Sequence, residues 1–244
     1  MKWKALFLFF FLFGTLKADD DIDNDLKSIA SPLFVGIGSH CEIAVKLREN
    51  NLRKIAFPFD WMLTLNHDRF LQIFKEDFKN FLNPEYYIQH PIHPSVIEHS
   101  HYHIEFRHDW PFPDTTTNSD RYLKQIQEIN SKYTRRIGRF RQIENYAGKV
   151  IFIRIAYDFD NDPNPFWGQK DCSKITFEQA LSLKSTLDGY FPSVDFTLVI
   201  VNYTDEYQPK IEGVEGICEF KIRKTHKHED YREMFQKLNK GALK

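Results

Sequence analysis

Cysteine is scarce in this chain: Cys41, Cys172 and Cys218 are the only three in 244 residues. That number excludes a disulfide-built scaffold, and because it is odd, at most one intramolecular bridge can form and one thiol is left over. If Cys172 pairs with Cys218 the spare thiol is Cys41; three unpaired cysteines are the other option. The chain also lacks the run of about twenty apolar residues that a membrane-spanning helix needs. No charge of one sign predominates either. The formal net charge is −1 with both signs spread along the chain, so there is no electrostatic footprint for nucleic acid. Internal repeats, low-complexity tracts and Gly/Ser linkers are absent, which leaves one large domain as the simplest organisation.

What is present begins at the first residues. Met1-Lys2-Trp3-Lys4 precedes an unbroken apolar run from Ala5 to Phe13, and Ala18 offers a small residue before Asp19-Asp20-Asp21. This pattern predicts a secretory signal peptide over residues 1–18 and an acidic leader over 19–30. Removal of Lys2, Lys4 and Lys17 with the signal peptide takes the formal charge from −1 to −4. The expected location is therefore secreted or periplasmic, with no stable membrane span after removal, and residues 31–244 form a single α/β domain.

Runs of Val, Ile and Phe without alternation mark strands covered on both faces, here Leu33 to Ile37, Val150 to Ala156 and Phe196 to Val201. Ile217 to Ile222 reads as an edge strand, and Lys54 to Phe57 as a further extended run. Between them lie helical patterns. Ile43, Ala44 and Leu47 fall on one side; Asn66 caps a helix whose Phe70, Phe74, Phe78 and Phe81 recur until Asn83-Pro84. A long helix runs from about Asp120 to Tyr146, Thr176 and Gln179 form a capping box, and a last helix begins near Glu229. Residues 85–118 read as an irregular excursion with one strand, Tyr102 to Arg107. Strands alternating with helices predict a three-layer α/β/α sandwich with a mostly parallel central sheet.

In such folds the ligand crevice lies beyond the carboxyl ends of the strands, where the first strand delivers Gly36-Ile37-Gly38-Ser39-His40-Cys41-Glu42. Ser39 and Glu42 have capping-box spacing, which puts Cys41 in the first helical turn and predicts a thiolate favoured by the helix dipole. The alternative is a small buried hydrophobe under a helix cap. A dinucleotide fingerprint with Asp60 as the ribose acid is a weaker reading, because Cys41 replaces the third glycine. A thiol nucleophile needs a base. His108 follows one strand, Asp158 another, and Asn202 closes a third, so His108 can take the proton while Asp158, Asn202 or Asp60 orients it; His40 is a second candidate base.

Gly38-Ser39-His40-Cys41-Glu42-Ile43-Ala44, Leu47-Arg48 and Pro58-Phe59-Asp60-Trp61 together resemble the bacterial family described as papain-like cysteine peptidases. The similarity continues through Phe106-Arg107-His108-Asp109, Arg139-Phe140 and Val150 to Arg154. The resemblance implies a Cys41 nucleophile with a His partner, most naturally His108. No glutamine lies shortly before Cys41, so an oxyanion hole falls to backbone N–H groups at the helix start.

The expected catalytic set is Cys41, His108, Asp158 and Asp60, with Gly38, Ser39, His40, Trp61, Arg154 and Asn202 around the substrate. Arg154 inside an apolar strand calls for a buried partner such as Asp60 or Asp158. No cofactor and no metal is expected. His99, His101 and His103 alternate as zinc ligands on one strand face would, but a polar loop explains them better, since no carboxylate ligand pattern accompanies them. Asn202-Tyr203-Thr204 has the form of a glycosylation sequon. The functional expectation is an exported thiol hydrolase acting on a peptide, with a non-catalytic glycan- or peptide-binding protein as the alternative.

Overall fold

The computed structural model describes residues 26–89, 96–108, 120–157, 173–205, 212–214 and 216–241. The expected signal peptide, together with Asp158 and Cys172, lies outside these residues.

Sheet A has five strands in the order β1 (Leu33–Gly36), β6 (Val150–Ile155), β7 (Phe196–Thr204), β9 (Ile217–Arg223) and β8 (Glu212–Val214). The first four run parallel, with Leu33 opposite Val150, Val150 opposite Phe196 and Leu198 opposite Ile217; β8 is antiparallel to β9. The expected mixed α/β architecture with a mostly parallel sheet is therefore present. Ile217 to Ile222 is not the edge, however, because β8 pairs along its outer side.

Burial on both faces explains the unalternating strand sequences. Leu33, Val35, Val150, Phe152, Leu198 and Ile200 point into one core. It is filled by α2 (His67–Lys75), α3 (Asp120–Arg141) and α4 (Phe177–Tyr190) through Phe70, Phe74, Phe140 and Leu187. Phe34, Ile151, Ile153, Val199 and Val201 face the other core, with α1 (Glu42–Glu49) and α5 (Lys227–Asn239) supplying Ile43, Leu47, Tyr231 and Phe235. Where a strand must pass close under a helix the side chain is missing: a Cβ on Gly36 would stand 2.9 Å from Ile43.

Three local expectations change. The Phe-rich helix stops at Lys75, because Asp77 and Phe78 take positive φ; Phe78 and Phe81 still enter the core, from a turn. Lys54 to Phe57 is a loop. The excursion expected to be irregular carries most of a second, antiparallel sheet, ordered β2 (Met62–Leu63), β5 (Ile104–Phe106), β4 (Ile97–His99), β3 (Tyr87–Gln89). Its three-residue strands are too short to show a period, which is why the sequence pattern does not declare them.

One face of this second sheet carries Met62, Phe106, Ile97 and Tyr87 into the core beside Tyr133. The opposite face aligns Leu63, Glu105 and Glu98 across neighbouring strands. Both glutamates are buried. Arg107 Nε donates to Glu105 at 2.9 Å, whereas neither carboxyl oxygen of Glu98, which is 0% exposed, has a hydrogen-bond partner among the described residues. Burial, with the adjacent Glu105 carboxylate second, pushes the Glu98 carboxyl up to about 7 from 4.5. A folded state that holds this proton more tightly than the unfolded chain is favoured fully below pH 4.5, and the advantage is lost as pH rises towards about 7. Glu98→Gln keeps the shape without the charge. Chemical denaturation should therefore show the variant more stable than wild type above neutrality, by at most about 3 kcal/mol, and the difference should vanish in acid. Equal pH profiles for the two proteins would refute a buried, proton-holding Glu98.

Candidate functional site

The strand order bears directly on the site. Along the parallel strands of sheet A it runs β1, β6, β7, β9 without reversal, so among the described strands β1 is an edge strand and its carboxyl end opens no switch-point crevice. The second sheet closes around that end instead. Ile37 and Gly38 extend the pairing with β6, through Ile37 N to Ile153 O at 2.9 Å and Ile155 N to Gly38 O at 3.1 Å. Thr64, just past β2, donates its N–H to Ser39 O at 2.7 Å.

Arg154 holds this junction from below. Its Nη1 donates to Ile37 O and Thr64 Oγ1, each at 2.8 Å, and its Nη2 to Thr64 O at 2.6 Å. The guanidinium lies 4.0 Å from the centre of the Phe70 ring. The Asp60 expected as its partner is engaged elsewhere: Arg53 donates to it through Nε and Nη2 at 3.0 and 2.9 Å, and Phe57 N–H at 3.0 Å. Burial raises the Asp60 pKa, and Arg53 and the Phe57 N–H oppose that rise. Asp60 thus ties the Pro58-Phe59-Asp60-Trp61 turn to Arg53 at the end of α1's connecting loop.

The expected Ser39–Glu42 capping box does not form. Ser39 Oγ donates to Ile155 O at 2.7 Å, and Glu42 accepts from Tyr203 Oη at 2.8 Å and faces Lys227 at 3.7 Å. Cys41 itself occupies the N-cap position of α1, and no side chain caps it. The carbonyl of Ile155, with no donor of its own on β1, competes successfully for the serine hydroxyl. Capping by spacing alone could not foresee that tertiary acceptor.

The electrostatic expectation for the thiol fails with the cap. Cys41 is partly buried, and its pKa is raised, first by burial and further by the Glu42 carboxylate; its own backbone N–H and the Arg107 guanidinium pull the other way. Among the described residues no histidine hydrogen-bonds Cys41 Sγ. His40 accepts the Glu42 N–H on Nδ1 at 3.3 Å, sets its Nε2 3.9 Å from Glu42 Oε2, and meets Tyr157 edge-on at 5.3 Å. His108 is exposed just beyond β5, edge-on to Trp61 at 5.8 Å, with Arg48 and Arg53 also against that indole. Arg107, just past β5, is near enough to Cys41 for its charge to favour the thiolate.

Asn202 is buried and its amide is spent on structure, accepting from Ile175 N at 2.8 Å and donating to Ile175 O and Glu219. A sequon asparagine held this way is closed to a glycan. Cys218 carries a free thiol, while its optional partner Cys172 lies outside the described residues. The alternating histidines do not share a strand face: β4 ends at His99, residues 101–103 turn, and His103 has positive φ. His99 Nε2 contacts Asn80 O at 3.0 Å and His101 Nε2 contacts Glu76 at 3.1 Å. Among the described residues no group of three or more His, Cys, Asp or Glu could hold a metal.

One residue escaped sequence reasoning. His67 opens α2 directly after the N-cap Asn66, and its Nε2 lies 2.8 Å from Ser182 Oγ. Burial, with Arg154 second, lowers its pKa to about 4, so the ring is neutral. Only the fold brings it towards Arg154; the sole local sign was a histidine at a helix start.

A parallel sheet, a strand-to-helix cysteine turn and a neighbouring histidine define a candidate thiol enzyme. The family model described as "Putative papain-like cysteine peptidase" matches residues 32–206, and the chain belongs to that family. A curated relative, the uncharacterised protein R408 of Acanthamoeba polyphaga mimivirus, is 26% identical over 200 residues, covering 75% of this chain and 83% of the relative. That relative is viral, so membership does not carry the restriction to bacteria that the resemblance suggested. No solved structure matches the chain.

Two measurements follow from the geometry. Gly38 has φ +82°, and a Cβ there would collide with Thr64 Oγ1 and stand 2.6 Å from Arg154 Nη1. Gly38→Ala should lower unfolding stability by about 2 kcal/mol or more, and a variant as stable as wild type would refute the close approach. The raised thiol pKa predicts that Cys41 reacts with iodoacetamide more slowly than a free thiol at neutral pH and gains rate as pH rises. Arg107→Ala should slow it further and Glu42→Gln speed it, each by roughly threefold, the scale of half a pKa unit; opposite signs would overturn the assigned field.

Proposed function

We propose that the chain is an exported thiol-dependent hydrolase of peptidase type, with Cys41 as nucleophile. The observation that carries the reading is the position of Cys41, a partly buried free thiol at the end of β1 within the segment matched by the peptidase family. The export part rests on the apolar leader between Met1 and Ala18.

In this reading the resting enzyme carries a neutral thiol, because burial opposes its charge. A base must therefore take the proton as substrate binds. His108 is the assigned base. It is exposed and meets Trp61 edge-on at 5.8 Å, and in this reading its ring turns towards Cys41 as a substrate binds. The thiolate attacks the acyl carbon, the protonated imidazole hands its proton to the leaving amine, and water then releases the acyl group from sulfur. Arg107 acts with the base by favouring the sulfur anion. Asp158 remains the proposed orienter of the histidine; Asp60, held by Arg53, acts by fixing the Trp61 turn.

The test is a peptide-library cleavage assay on the purified mature protein, run beside labelling with a thiol-directed probe. Cys41→Ala should abolish cleavage, and His108→Ala should lower kcat by roughly a hundredfold or more while leaving Cys41 free to alkylate at high pH. Cleavage that survives Cys41→Ala sinks the proposal.

A further inference from the structure

Glu98 is a buried acid whose bonding is incomplete. It is 0% exposed, and neither Oε1 nor Oε2 has a hydrogen-bond partner among the described residues. Buried carboxyl oxygens are ordinarily matched by donors, so two bare oxygens on one side chain call for an explanation. Protonation alone does not supply it. The charge is removed, but the acid O–H then needs an acceptor and the other oxygen still needs a donor, and the described residues offer neither.

The strand register shows what lies beside the group. Ile88, Glu98, Glu105 and Leu63 form one row across β3, β4, β5 and β2, on the face opposite the one that carries Tyr87, Ile97, Phe106 and Met62 into the core. The ionisable members of this row are two neighbouring carboxyl groups. Glu105 is answered by Arg107 Nε at 2.9 Å, and Glu98 is not answered. β3 is the edge strand of the sheet and Ile88 on it is exposed, so the row reaches solvent one position beyond Glu98.

The chemistry of a suitable partner follows from these groups. Two bare oxygens of one carboxylate match the parallel N–H groups of a guanidinium, which donates to both at once, whereas an ammonium is a point charge without that fork. A metal ion fits less well, because among the described residues no group of three or more His, Cys, Asp or Glu could hold one. The aliphatic stem of an arginine would lie along Ile88. The row is also tied to the thiol: Arg107, bonded to Glu105, is the cation whose charge reaches Cys41.

We infer that the row of Ile88, Glu98 and Glu105 is a subsite for an arginine side chain of the substrate of Cys41, with the guanidinium paired to both oxygens of Glu98. As a statement about substrate this rests on the proposed thiol chemistry, which would then act on peptides with arginine close to the cleaved bond. The pairing itself does not depend on catalysis. Binding also moves a proton. Burial and the Glu105 carboxylate hold the proton on Glu98 up to about 7, whereas a bound guanidinium requires the carboxylate, so affinity rises with pH through that value and binding below it releases a proton.

Isothermal titration calorimetry on the full chain tests the subsite, with N-acetyl-argininamide as probe and N-acetyl-citrullinamide as its uncharged counterpart. The arginine probe should bind saturably at one site, roughly tenfold more weakly at pH 6 than at pH 8, and its heat at pH 6 should follow the ionisation enthalpy of the buffer. The citrulline probe should not bind, and N-acetyl-lysinamide should bind more weakly than the arginine probe. Glu98→Gln, which keeps the shape and is expected to fold at least as well, should abolish binding at both pH values. Cys41→Ser should bind as wild type does. A protein that binds the probe in this way but cleaves no peptide would fell the thiol reading and leave the subsite standing; cleavage by Cys41 without probe binding would do the reverse. Equal binding of the citrulline probe, tighter binding of calcium ion than of the arginine probe, or binding that survives Glu98→Gln would also overturn the inference.

Discussion

The buried guanidinium of Arg154 is the constraint on which this architecture depends. A charge placed in a strand interior is costly to desolvate, and it persists only where every direction of its planar fork meets an acceptor. Here the acceptors are Ile37 O, Thr64 Oγ1 and Thr64 O, and the face of Phe70 lies against the plane. Those acceptors belong to different sheets. One side chain of β6 therefore fixes both the exit of β1 and the exit of β2, and Thr64 N–H to Ser39 O completes the seam. Gly38 follows from it, since the space a side chain would need is the space the guanidinium and Thr64 occupy.

That seam decides the chemical state of Cys41. With Ser39 drawn to Ile155 O, the turn that carries the cysteine is shaped by contacts to β6 and to the second sheet, not by capping of α1. The thiol sits partly buried beside the Glu42 carboxylate, and both features favour the neutral form. A cysteine activated in advance by a helix start would be reactive towards any electrophile. A cysteine kept neutral until a base arrives reacts only in a complex that brings the base, and that difference protects it against indiscriminate oxidation.

The sequence made the parallel sheet legible because burial on both faces leaves an unmistakable apolar run, as in Val150 to Ile155, and the Thr176–Gln179 capping box is satisfied by neighbours three residues apart. Local chemistry decided those elements. The second sheet was hidden because Ile97–His99 and Ile104–Phe106 each span three residues and place Glu98, His99 and Glu105 among buried positions, where composition argues for a loop. Cys41, Ser39, Gly38 and Arg154 could be singled out by position in the chain. Their partners could not, because Ser39 to Ile155 and Arg154 to Thr64 join residues 116 and 90 apart, and Lys174 and His67 meet at one cavity only through the packing of α2 beside α4.

The carboxylates around the Cys41 turn are each engaged by a donor from another element. Glu42 is held by Tyr203 Oη near Lys227, Asp60 by Arg53, and Glu105 by Arg107. Asn202, the buried polar group of β7 nearest the start of α4, is an amide and contributes no charge. Arg107 is shared between the buried Glu105 carboxylate that holds its Nε and the Cys41 thiol whose anion it favours, so the cation that opposes the burial of the sulfur is itself positioned by the second sheet.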